Sequence, residues 1–486
     1  MNGSWLQRQA QLHPERPAFY WQDKSWSFAA LQKEVTAYAC YYEARIPQSI
    51  ERVAIFSNNS PEMYFSILAL WELGKQVQLL NTRLTEKELH YQLADAQCSW
   101  VISNQGLALS RIHVLPFGKL KGSLTVAASV YQKNQVASIM YTSGTTGNPK
   151  GVPQTFGNHC ASAQATQINL AVTASDCWCC VVPLYHISGL SILLRSLVLG
   201  ISVRLYDRFD PPQIAADLAA GKATIVSFVT KMLTDLLPLT KDTGYPALRY
   251  ILLGGGPIAK SVLKQCQDKQ LAVIQSYGMT ETCSQVVALP PEKAEEKIGS
   301  AGLPLAQVNL RIQPQSEETG SVTKNAETLG EIQLQGPAIV SHYLNNRGGD
   351  QWTSDGWFAT GDLGFLDAEG YLYVVSRLSE LIISGGENIY PAEVEQALVS
   401  HPAIDEAAVV GEPSGKWGQE PVAYLTLHAP LTVQEVTAYL DSQLARYKQP
   451  RRYYQVNEMP RTASGKIVKR ILLTEERVNY IEQQIK

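Results

Sequence analysis

Tyr141-Thr142-Ser143-Gly144-Thr145-Thr146-Gly147-Asn148-Pro149-Lys150-Gly151 is the stretch on which the reading of this chain turns. Val136-Ala137-Ser138-Ile139-Met140 before it reads as a short buried strand, and a helix is expected from about Thr155. Between them lies a run of Gly, Ser and Thr followed by one lysine. Small residues let the backbone approach a ligand, and glycine accepts dihedrals that other residues avoid. Backbone N–H groups and hydroxyls in such a loop can converge on an anion, and Lys150 adds a full positive charge. The chemistry is that of a polyphosphate cradle built from Thr142, Ser143, Gly144, Thr145, Thr146, Gly147 and Lys150. The ordinary nucleotide loop, Gly-x4-Gly-Lys-Ser/Thr, does not fit, because the second glycine would fall on Pro149. A solvated Gly/Thr surface turn is the alternative that this composition leaves open.

Outward from this loop, short apolar segments alternate with helical patterns. Upstream, Phe19-Tyr20-Trp21 and Ser25-Trp26-Ser27 flank Asp23-Lys24 as a hairpin. Ser27 caps a helix whose apolar face is Leu31, Val35, Tyr38 and Tyr42. Strands are predicted at 53–56, 77–80 and 100–102, and helices at 63–73 and 86–94. Downstream, strands are predicted at 178–182, 202–206, 224–228, 250–253 and 273–277, with helices between them. This alternation predicts an α/β fold with more than one parallel-rich sheet and helices on both faces. Ligands in such sheets sit at the carboxyl ends of the strands. Beyond Lys297 the texture becomes alternating strands and turns, a small antiparallel β subdomain, and from Leu381 it becomes α+β. The expected organisation is a large domain over 1–376, with the β subdomain at about 297–376, and a second domain over 377–486.

A chain of 486 residues exceeds one compact core, which agrees with several domains. A formal net charge of -3 points to neither nucleic acid nor an anionic membrane surface as partner. No run approaches the roughly 20 apolar residues of a membrane span, and Met1–Arg8 has no signal-peptide pattern. A cytoplasmic protein is expected, with a homo-oligomer left open. Cys177, Cys179 and Cys180 cluster, but no second Cys or His pair lies at zinc spacing from them. They read as small core residues of a strand rather than as metal ligands.

Several later motifs carry chemistry. Gly254-Gly255-Gly256-Pro257 follows a predicted strand and permits close approach to a flat ring, although a tight strand–helix turn would look the same. Gln275-Ser276-Tyr277-Gly278-Met279-Thr280-Glu281-Thr282 sets an aromatic, a hydroxyl and a carboxylate together after another strand. Tyr277 can stack on adenine, Thr280 can bind an α-phosphate oxygen, and Glu281 can hold Mg²⁺, a hard cation that takes oxygen ligands. Asp362, in Thr360-Gly361-Asp362, can accept both ribose hydroxyl protons, and Arg377 can reach the same ribose. Lys466, in Ser464-Gly465-Lys466, would alone read as a solvated charge.

Taken in order, these motifs resemble the adenylate-forming enzymes: acyl-CoA synthetases, luciferases and peptide-synthetase adenylation domains. The resemblance covers roughly residues 5 to 475. It implies a large N-terminal domain and a small mobile C-terminal one. It also implies a two-step reaction, in which a carboxylic acid and ATP form an acyl adenylate that a thiol such as coenzyme A then attacks. By the resemblance, Lys150 and the hydroxyls of 142–146 serve the β,γ-phosphates. Gly254, Gly255, Gly256, Ser276, Tyr277, Gly278, Asp362 and Arg377 serve the nucleoside. Catalysis falls to Lys466, Thr280, Glu281 and His186. Gly385, Gly386, Glu387 and Asn388 form the loop of the CoA step. The family's hinge is Asp or Lys two residues after the arginine; Ser379 stands there, and Ser376 replaces the usual glycine before it.

The acid itself is addressed by Leu184-Tyr185-His186-Ile187-Ser188-Gly189-Leu190 and by Arg195 in the apolar helix that follows. The resemblance puts His186, Ser188, Gly189 and Gly278 in the acyl pocket. An unpaired charge on an apolar helix wants a partner; a second carboxylate on the substrate and an internal salt bridge are the two candidates for Arg195. In fine pattern, residues 154–159, 186–190, 277–285 and 381–393 are similar to the branch of the family whose acid carries an aromatic carboxylate, a keto group and a reactive succinyl carboxylate. The rival readings are an adenylation domain loading a carrier protein, a luciferase-like oxygenase, and a non-catalytic nucleotide sensor.

Overall fold

The computed structural model describes residues 3–107, 109–122, 130–142, 149–254, 258, 260–314, 328–462 and 466–485. The helix Pro61–Glu72 shows how local signals build it. Ser60 accepts a hydrogen bond from the Met63 N–H, Pro61 occupies the first turn, and Gly74, at φ +72°, ends it. Nearly all its residues are buried, as befits a helix covered on all sides. Trp71 Nε1 donates to the Ala137 carbonyl at 2.8 Å, tying the helix to the strand that enters the phosphate loop.

Two large sheets carry the site. One has six strands in the order His113–Leu115, Trp100–Ile102, Arg52–Phe56, Gln76–Leu80, Val136–Thr142 and Lys150–Thr155, parallel except for the last pair. The other has nine strands, whose centre runs Val273–Met279, Tyr250–Gly254, Ile225–Val229, Cys177–Cys180 and Ser202–Leu205 in parallel, with antiparallel strands at both edges. The clustered cysteines lie in that central strand as free thiols, half-buried or buried.

Of the strands that were not anticipated, two bear on the site. Residues 150–155 do not lead directly into a helix; they pair back antiparallel on Val136–Thr142, with Thr142 opposite Lys150. Gly151 and Pro153 argue against a strand, yet proline is tolerated at a sheet edge, where this strand lies. The stems on either side of the expected phosphate loop are therefore paired strands, and Thr155 then caps the helix Phe156–Leu170 through a reciprocal pair with Asn158. Ser284–Leu289 likewise folds back on Val273–Met279.

Asn309–Pro314, Gly330–Gln335, Phe358–Leu366 and Leu372–Arg377 form a four-stranded antiparallel sheet. Past it, a six-stranded sheet with the helices Pro391–Val399 and Val433–Asp441 has its own apolar cluster, centred on Ile382, Val394, Val409 and Leu425 and distinct from the main core. The architecture is α/β with large helix-covered sheets, a small β sheet and an α+β C-terminal region.

Candidate active site

The open side of the hairpin faces the turn at Thr280–Thr282 and a segment from Tyr343 to Gln351. Ser143, Gly144, Thr145, Thr146 and Gly147 lie outside the described residues, but both stems are defined. Tyr141, one residue before Thr142, donates to Asp95 Oδ2 at 2.8 Å, and Asp95 also pairs with Arg347 at 2.6 Å. Lys150 Nζ donates to Gln351 Oε1 at 2.9 Å and lies 4.9 Å from the centre of the Tyr343 ring. A Cβ on Gly151 would meet Leu344 Cδ1 at 2.7 Å, so this segment packs closely on the hairpin.

Tyr343 also reaches the metal candidate. Its hydroxyl donates to Glu281 Oε1 at 2.6 Å, and the Val340 N–H donates to the Glu281 carbonyl at 2.9 Å. Burial raises the Glu281 carboxyl above its ordinary value. The donor set suits Mg²⁺: a single buried carboxylate matches an ion that takes one or two carboxylates and completes its shell with phosphate oxygens and water. Tyr343 and Gln351 carried no local signal in the sequence. They are functional candidates only because they touch Glu281 and Lys150.

Tyr277 and Arg377, two of the residues expected to serve the nucleoside, meet at Asp362, which is buried. Tyr277 donates to its Oδ2 at 2.7 Å, and Arg377 Nε pairs with its Oδ1 at 2.8 Å. Burial and the Asp362 charge push the Tyr277 phenol well above its ordinary value, so it stays a donor. Gly361 sits at φ +73°, in the left-handed region that turns the strand at this point. Ser276 Oγ donates to the Leu253 carbonyl at 2.9 Å, and a Cβ on Gly254 would touch only that Oγ at 3.5 Å, so protein packing does not demand glycine there. Gly255 and Gly256 lie outside the described residues. At Gly278 packing does demand glycine: a Cβ would lie 2.1 Å from the Ser284 carbonyl oxygen.

Lys466 belongs to the C-terminal region, where its N–H and carbonyl pair with Thr462; Ser464 and Gly465 lie outside the described residues. It is exposed yet comes within electrostatic range of Asp362 and Arg377. Surrounding protein and then the Arg377 guanidinium lower its ammonium, while Asp362 and Glu380 act the other way. Ser379 lies in the short turn Leu378–Glu380 between Arg377 and this region. Gly385 and Gly386, at φ +62° and +88°, form the two-residue turn of a hairpin that continues into Glu387 and Asn388. The Gly385 N–H donates to the Trp417 carbonyl at 2.8 Å, so here this loop is joined to its own sheet.

On the acyl side, His186 precedes the helix Ile187–Leu199. Its Nε2 is buried without a hydrogen-bond partner among the described residues, and burial, assisted by Arg83, lowers the imidazole to about 4. Ser188 is half-buried, and its carbonyl accepts from Ser191 Oγ. Gly189 serves helix packing, because a Cβ there would lie 2.3 Å from the Pro183 carbonyl oxygen. Arg195 is 1% exposed, and no carboxylate among the described residues pairs with it, so none of them forms the internal salt bridge. Its guanidinium donates to Ser284 Oγ at 2.9 Å and lies 4.7 Å from the Trp178 ring, while Nε has no partner. Burial lowers Arg195 to about 9. Ser284, which Arg195 meets, pairs with Met279 across the strands, one residue before Thr280.

Known proteins resemble this chain over most of its length. The family profile described as AMP-binding enzyme matches residues 6–344, and that of the AMP-binding enzyme C-terminal domain matches residues 393–466. A 2-succinylbenzoate–CoA ligase of Enterococcus faecalis is 52% identical, over 98% of this chain and 99% of its own. The o-succinylbenzoate CoA synthetase of Bacillus subtilis in complex with the acyl-adenylate intermediate OSB-AMP superposes with a TM-score of 0.89 at 39% identity, covering 97% of this chain and 98% of that one. The same enzyme with ATP and magnesium ion gives 0.88 at 39%, covering 96% and 99%.

Proposed function

The chain belongs to the AMP-binding enzyme family, and from that membership we propose that it is the AMP-forming 2-succinylbenzoate–CoA ligase of menaquinone biosynthesis. Its substrates are the acid, ATP with Mg²⁺, and coenzyme A. The observation that carries the choice of acid is Arg195, a buried guanidinium with no carboxylate of its own. The aromatic carboxylate of 2-succinylbenzoate would supply one, leaving the succinyl carboxylate to react.

In the first step a succinyl carboxylate oxygen bonds to the α-phosphorus, and the bond from that phosphorus to the bridging oxygen breaks, releasing pyrophosphate. In the second, the CoA sulfur bonds to the acyl carbon and AMP leaves. The first transition state spreads negative charge over oxygens, so catalysis is mainly positioning and electrostatics. Lys150, Thr142 and the hydroxyls of 143–146 would hold the β,γ-phosphates. Thr280 would bind the α-phosphate, and Lys466 would bridge it to the incoming carboxylate. Gly254–Gly256, Ser276, Tyr277 and Gly278 would frame adenine, and Asp362 with Arg377 the ribose. Glu281 would hold Mg²⁺, which when bound offsets phosphate charge. His186, neutral through the physiological range, would line the acyl pocket with Ser188, Gly189 and Gly278. For the second step, residues 377–486 would rotate about Ser379 against 1–376, bringing Gly385, Gly386, Glu387 and Asn388 to the site. This reading places the enzyme in the cytoplasm; no helix among the described residues is long and apolar enough to cross a membrane.

The test is CoA- and ATP-dependent turnover of 2-succinylbenzoate, benzoate and a fatty acid. Acyl-CoA and AMP are expected from the first acid far above the others. Faster turnover of benzoate, or AMP release without acyl-CoA, would overturn it.

A further inference from the structure

A buried hydrogen-bond chain ends on the turn that carries Thr280 and Glu281. Its members are Ser138 and Gln154, on the two strands of the phosphate hairpin, and His159, on the helix that follows. Ser138 and Gln154 are 0% exposed and His159 2%. His159 Nε2 lies 2.8 Å from Ser138 Oγ, Ser138 Oγ donates to Gln154 Oε1 at 2.7 Å, and Gln154 Nε2 donates to the Thr280 carbonyl at 2.8 Å.

Proton counting fixes the direction of the chain. Ser138 has one hydroxyl proton and gives it to Gln154, so His159 donates from Nε2. Burial keeps that imidazole neutral, its pKa lowered to about 3. The Thr280 carbonyl, which can only accept, decides which end of the amide faces it, and Ser138 and His159 complete that orientation. A flipped amide would set Oε1 against the Thr280 carbonyl, two buried acceptors face to face.

The Thr280 carbonyl does not depend on Gln154 for satisfaction, because it also accepts from the Cys283 N–H at 3.2 Å. The bond from Gln154 instead sets position. Gln154 and Lys150 share one strand, Lys150–Thr155, and lie about 13 Å apart along it. That strand and one 2.8 Å bond connect the lysine to the turn on the opposite side of the site.

We propose that Gln154, oriented by Ser138 and His159, is a positioning residue for adenylation. It holds Thr280 in register with the hairpin that carries Lys150, so the two walls of the triphosphate site move as one piece. The inference rests on the adenylating function proposed above and adds to it a residue that touches no substrate.

The test separates the half-reactions. In Gln154→Leu, the rate of acid-dependent ATP–pyrophosphate exchange falls about 10- to 100-fold, as expected for a misplacement on the order of 1 Å. KM for the acid and thioesterification of supplied acyl adenylate stay within about 2-fold. Gln154→Glu, which turns a donor into an acceptor, loses at least as much in the same step. Ser138→Ala, which frees the amide without removing it, loses about 3- to 10-fold there. A purely structural role would lower both half-reactions together, or only the melting temperature, and either result overturns the proposal, as does exchange at the parent rate in Gln154→Leu. Should Gln154→Leu not fold, Ser138→Ala decides on the same two readouts, and an unchanged exchange rate overturns the proposal. If the unmodified enzyme exchanges no pyrophosphate, the adenylating function itself fails. If it exchanges and the variants match it, only the role of Gln154 fails.

Discussion

The nucleotide side and the acyl side of this site treat their polar groups in opposite ways. On the nucleotide side, Asp362 is met by Tyr277 and Arg377, Glu281 by Tyr343, and Lys150 by Gln351. On the proposed acyl side, Arg195 is buried and His186 half-buried, and Arg195 Nε and His186 Nε2 are buried atoms that meet nothing among the described residues. On the proposed roles, groups that serve a ligand common to many enzymes would be held in place by protein partners before it arrives. Groups that select one acid would be left incomplete, so that the correct substrate satisfies them and an analogue lacking the matching group leaves a buried polar atom unpaired.

The strongest test of this contrast is Lys466→Ala. A preorganised charge lost from the adenylation step typically costs a factor on the order of 10²–10³ in rate. Pyrophosphate exchange should fall by that much, while supplied acyl adenylate is still converted to acyl-CoA. Exchange that survives the substitution would remove Lys466 from the reaction and leave the nucleotide side without its bridge to the acid.

Arg195→Ala probes the acyl side. Loss of a charge-assisted hydrogen bond should raise KM for 2-succinylbenzoate about 10- to 100-fold. Plain benzoate, which has no second carboxylate, should be unaffected, and Arg195→Lys should recover part of the loss. An equal penalty for both acids would make Arg195 a packing residue over Trp178 and Ser284, and the contrast between the two sides would disappear.

The smallest effect belongs to Glu72, a buried carboxyl at the end of the helix Pro61–Glu72 with one unpartnered oxygen. Burial pushes it from an ordinary 4.5 up to about 7. The folded protein therefore binds this proton more tightly than the unfolded chain, and between those values stability falls as pH rises. Glu72→Gln should flatten the change in melting temperature between about pH 5 and pH 8 and leave both half-reactions unaltered. Identical pH slopes in variant and parent would mean this carboxyl does not behave as the burial implies. The comparison sharpens the first one: an incomplete buried group with no ligand affects stability, whereas Arg195 should affect specificity.

Much of this was legible locally. Ser27, Ser60 and Thr155 each accept a hydrogen bond from the third residue of the helix they begin, a relation between near neighbours in the chain. The parallel strands announced themselves as apolar runs separated by helical spacing. Lys150–Thr155 did not, because Gly151 and Pro153 disguise a strand whose pairing depends on its place at a sheet edge. At Arg195 the composition of the helix showed a charge on an apolar face, but whether a carboxylate of the chain answers it depends on residues remote in sequence.

By itself the sequence determined the inventory and order of the chemistry: a hydroxyl-rich loop before a lysine, an aromatic followed by a hydroxyl and a carboxylate, and then an aspartate, an arginine and a lysine. These are properties of contiguous residues. Only the tertiary structure decided which groups answer one another. Tyr343 meets Glu281 across 62 residues, and Gln351 meets Lys150 across 201. Contacts at that separation are set by how the sheets pack, and no short-range pattern of residues carries that information.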